Sequence, residues 1–181
     1  MKSVITRMIL VGVALVAPAA AIGASQTQQQ APEQPKAPRP APKLSTMDAV
    51  KHHLQRYGAT VDEAKSQADM VVSSYTNDKG KVKIVILNDH RKELLEFYVY
   101  DFGSVKDLAN RDEIDKYLLL ANESLSVGAF FVDKDQDIGF KYSMSAQQLS
   151  YSSFESVYSS IVVIANARRA EIRRLLKNGT N

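Results

Sequence analysis

The chain has 181 residues, 45% of them hydrophobic, with 23 Lys and Arg against 20 Asp and Glu, and no cysteine. That is enough for one folded domain with appendages; it excludes disulfides, a cysteine nucleophile and a lipid-modified lipoprotein leader. Four of the 23 basic residues and one of the 20 acidic ones precede Lys43, so 19 of each sign remain. The basic balance comes from the N-terminal part, and a neutral body argues against a general nucleic-acid binder.

Residues 1–24 read as a bacterial Sec-type signal peptide. Lys2 and Arg7 form a positive start, Met8 to Ala17 is continuously apolar, and Ala19-Ala20-Ala21 and Gly23-Ala24-Ser25 supply small residues for cleavage. An uncleaved anchor is the alternative. Met8 to Ala24 is 17 residues, at the short limit for a span, and Pro18 interrupts it. Export places the chain in the periplasm or outside the cell, with membrane contact only if the leader is retained. Residues 25–43 read as a Gln- and Pro-rich disordered linker, with prolines at 32, 35, 38, 40 and 42. Too little apolar surface is available there to fold, and prolines stiffen the segment toward polyproline II. Fully extended, it reaches roughly 50 Å at about 3 Å per residue. Residues 44–181 contain no proline and form the domain.

Within that domain Ser45 to Tyr57 reads as a helix. Ser45 is its cap, Gly58 its stop, and Met47, Val50, Leu54 and Tyr57 its apolar stripe. Thr60 to Ala68 adds a short helical turn. Three strands follow at about Asp69–Tyr75, Val82–Leu87 and Leu94–Phe102, joined by turn-forming Asn77-Asp-Lys-Gly80 and Asn88-Asp-His-Arg91. From Arg111 to Leu125, Ile114, Tyr117, Leu118, Ala121 and Leu125 recur at helical spacing, with Asp112, Glu113 and Asp115 at the positive end of the dipole. Leu119 and Leu120 widen that stripe, which predicts burial on more than one side. Asn122 sits inside the apolar region, where its amide can bond backbone left unpaired by a turn, and Gly128 permits a conformation other residues resist. Phe130 and Val132, then Ile138, Phe140, Tyr142 and Met144, alternate with small or polar neighbours as strands with one buried face do. Asp133-Lys-Asp-Gln-Asp137 is the turn between them. Ser153 to Lys177 is a closing helix with Phe154, Val157, Ile161, Ile164, Ile172 and Leu175 on one stripe. The order α-β-β-β-α-β-β-α gives an α+β fold, a mostly antiparallel sheet of about five strands flanked by helices.

The helix ending Ala121-Asn122, the short link to Gly128-Ala-Phe130, the hairpin with an acidic turn and the long last helix resemble the YbjN-domain family, over roughly Ser45 to Leu176. These are bacterial proteins described as sensory-transduction regulators. The resemblance implies a fold similar to type III secretion chaperones and supplies no catalytic residues. Asn122, Gly128 and Phe130 are the structural motif it marks. The chain departs from the pattern in lacking the glycine of the acidic turn and in carrying a leader and linker.

No other constellation points to chemistry. Asp133, Asp135 and Asp137 imitate the start of a calcium loop, but the glycine and glutamate that an EF-hand needs are replaced by Ile138 and Met144. His52 and His53 are adjacent on a helix and diverge, whereas a helical metal pair is spaced by three or four. Arg168, Arg169, Arg173, Arg174 and Lys177 suit a helix C-terminus; an acidic partner or anionic membrane is the other reading. There is no nucleophile elbow and no phosphate loop. Neither cofactor nor metal is expected.

One surface has a functional reading. If Val82, Ile84, Ile86, Leu95, Phe97, Val99, Phe130 and Val132 face the helices, the opposite sheet face carries Val85, Leu87, Tyr98, Tyr100 and Phe131 between Lys81, Lys83, Glu96 and Lys141. An apolar patch rimmed by charge marks an interface, unless the last helix covers it. The expectation is a non-enzymatic protein-binding module, whether homodimer, adaptor or chaperone-like. A small-ligand or lipid sensor with a pocket between sheet and helices is the alternative.

Overall fold

Residues 44–179 are described by a computed structural model. The expected leader, 1–24, and linker, 25–43, lie outside them. The fold is α+β: three α-helices on an open six-stranded antiparallel sheet of order β1-β2-β3-β4-β6-β5.

The first helix, α1 (Thr46–Tyr57), starts where the Ser45 side chain accepts the Asp48 N–H at 3.1 Å. It stops at Gly58, whose φ of 87° lies in the left-handed region. Met47, Val50 and Leu54 are its buried stripe. The stretch after it is not helical, against expectation. Thr60–Val61 forms a two-residue strand, β1, paired with Ser74 and Ser73. The Asp62 carbonyl then accepts from the N–H groups of Lys65 and Ser66, closing a turn, and Ser66 Oγ accepts the Val72 N–H. β-Branched Thr60 and Val61 take the extended form beside an available strand edge. This raises the strand number to six.

Strands β2 (Met70–Asn77), β3 (Gly80–Asp89) and β4 (Leu94–Val99) form a meander. β4 ends three residues earlier than expected. The chain turns at Gly103, with φ 124°, and carries fully buried Phe102 into an edge-to-face contact with Phe130. Helix α2 (Asp112–Ser124) leads to β5 (Ala129–Val132) and β6 (Ile138–Ser145). β6 returns beside β4, which leaves β5 at the sheet edge. A 3₁₀ turn at Ala146–Gln148 precedes α3 (Tyr151–Asn178), which starts with a capping box between Ser150 and Ser153.

The core joins α1, α2 and α3 to one face of the sheet: Val71, Val82, Ile84, Ile86, Leu95, Phe97, Val99, Phe130 and Phe140. In α3 the buried residues are Phe154, Tyr158, Ile161, Val162, Ala165 and Ile172; Val157, Ile164 and Leu175 are only partly buried. Burial of α2 on more than one side is overturned. Ile114, Leu118 and Ala121 are buried, but Leu119 is 65% and Leu120 52% exposed. Successive helical residues turn by about 100°, so a helix packed along one stripe leaves those two facing water.

Candidate functional site

The residues marked by Asn122, Gly128 and Phe130 form one connected device. The Asn122 side-chain oxygen accepts the Phe130 N–H at 2.7 Å, and its amide nitrogen donates to the Phe130 carbonyl at 3.0 Å. These are edge-strand groups that β6 does not use, so the amide occupies the place of a further strand. Gly128, with φ 70°, turns the chain into β5; a Cβ there would lie 2.4 Å from the Phe140 ring and 2.7 Å from the Lys141 carbonyl. This arrangement is structural, and it secures the strand that presents Phe131.

Phe131 belongs to the sheet face turned away from the helices. The register places Val72, Val85, Tyr98, Lys141 and Ala129 in one row across that face, and Met70, Leu87, Glu96 and Ser143 in the next. Phe131 pairs with Gly139, and its ring occupies the space that a side chain at Gly139 would fill. Tyr98 and Tyr100 stack with ring planes 8° apart, and Phe131 meets both edge-to-face at 6.2 and 5.8 Å. The five expected residues thus share one face, and three form a single aromatic cluster. Tyr100 is 44% exposed; Val85, Leu87, Tyr98 and Phe131 are half-buried. The last helix does not cover them. α3 packs through Phe154 against Phe97, and its Tyr158 hydroxyl shares a 3.1 Å hydrogen bond with Ser73, both on the helix-facing side.

Glu96 stands in the middle of this face and is only 7% exposed. Its carboxylate accepts from Lys141 Nζ and from the Tyr98 hydroxyl, each at 2.7 Å. The Lys141 hydrogen bond holds the Glu96 carboxyl below its usual range, against the opposing effect of burial. The same bond raises the Lys141 ammonium. Burial raises the Tyr98 and Tyr100 phenols. Each buried polar group here has a partner, so the face can be covered without orphaning a charge. The sequence reading missed Met70 and Val72. Met70 extends the apolar surface onto β2, while Val72, on the same face, is only 5% exposed; the run Met70-Val-Val72 has no alternation to reveal which residue faces which way.

The remaining constellations serve local structure. Asp133 Oδ1 accepts the N–H groups of Asp135 and Asp137, each at 2.9 Å, closing its own turn. His53 packs between Tyr151 and Phe154, with ring centroids at 5.7 and 5.5 Å. Arg169 forms a forked pair with Asp101, Arg173 donates to the Asp101 carbonyl, and Arg174 pairs with Glu171. Among the described residues no group of three or more His, Asp or Glu is placed to hold a metal ion, and no helix is long and apolar enough to cross a membrane. No model of a known protein family matches the chain, and no curated protein matches it.

Proposed function

We propose that this protein is an exported, non-enzymatic, YbjN-like module that binds another protein through the open face of its sheet. The observation that carries the reading is the Tyr98–Tyr100–Phe131 cluster, on a face that none of the three helices covers. Aromatic side chains give large contact area at low entropic cost, and charge at the rim sets orientation. The likeness to secretion chaperones adds fold analogy and nothing about a partner. Export rests on residues 1–24 and on no feature of the folded part.

A small-ligand or lipid sensor would need a chamber between sheet and helices. That layer is filled by Phe97, Phe140, Phe154, Tyr158 and Ile161. The test is a crosslinked pull-down from the native envelope with three chains: wild type, Tyr98→Asp plus Tyr100→Asp, and Val163→Asp on the exposed side of α3. The double variant should lose the captured partner while the α3 variant keeps it, with both retaining a wild-type circular dichroism spectrum. Unchanged capture would remove this reading. Fractionation of the same cells tests export, and retention in the cytosol would refute it.

A further inference from the structure

We draw no further inference here: the strongest candidate, the open sheet face around Tyr98, Tyr100 and Phe131, belongs to the site already described, and nothing in the structure shows what covers it.

Discussion

The side-chain amide of Asn122 makes two hydrogen bonds to the backbone of Phe130, one in each direction. A helix residue thereby completes the edge strand of the sheet. Asn122→Ala removes both bonds and leaves the Phe130 N–H and carbonyl unpaired beneath α2. The expected loss of stability is about 1–3 kcal/mol, read from urea unfolding. Asn122→Asp keeps an acceptor for the N–H but sets an oxygen against the Phe130 carbonyl, so it should not restore the wild-type value. With its edge groups freed, β5 becomes a template for strand addition, and the Ala variant should aggregate faster on heating.

Two glycines with positive φ separate backbone strain from steric exclusion. Gly58 has φ 87° and open space where a Cβ would stand, whereas Gly128 has φ 70° with the Phe140 ring and the Lys141 carbonyl in the way. Gly58→Ala should cost about 1–2 kcal/mol, the left-handed penalty alone. Gly128→Ala should cost clearly more, because ring and backbone must also move. Equal midpoints in thermal unfolding would show that the β5 entry is loose enough to absorb the extra carbon.

Neighbouring leucines on α2 should behave oppositely. Leu118 is in the core, while Leu119 and Leu120 face water. Leu118→Ala should destabilise by about 2–5 kcal/mol. Leu119→Gln and Leu120→Gln should each stay within about 0.5 kcal/mol of wild type. Denaturant midpoints of the three variants decide this.

The pH dependence of stability should carry a His53 signature. Burial, then His52 and Arg56 nearby, lowers the His53 imidazole below its ordinary 6.5. Its Nδ1 is buried without a hydrogen-bond partner. The unfolded chain therefore takes up this proton first as pH falls. The stability contributed by neutral His53 is complete above 6.5 and is lost as pH drops from there toward the lowered folded value. Urea midpoints should decline over that window in wild type, and His53→Leu should flatten the decline. An unchanged slope in the variant would assign the effect to other groups.

How much of this was legible beforehand follows from the range over which each signal acts. The α1 and α3 signals are local: a serine cap, a glycine stop and recurring apolar residues lie within a few turns, and both helices formed where those residues stand. The alternation of β3, β4, β5 and β6 is equally local, and it was enough to divide the sheet into a core face and a face bearing Val85, Leu87, Tyr98, Tyr100 and Phe131. Asn122 could be read as an amide looking for backbone, but not which backbone. Its partner, eight residues on, depends on how α2 lies against β5.

By itself, the sequence determined the α+β class, the order of its main elements and the parity of its central strands, because hydrophobic period and turn chemistry are written in neighbouring residues. Tertiary structure alone decided that Thr60 and Val61 become a strand, since only the β2 edge makes that pairing available. It alone turned Leu119 and Leu120 outward, because one packed side is all that the sheet and α3 offer to α2. It alone set the three helices on one face and left the aromatic face open. Which layer covers which face depends on contacts between residues far apart in the chain, and no local pattern encodes them.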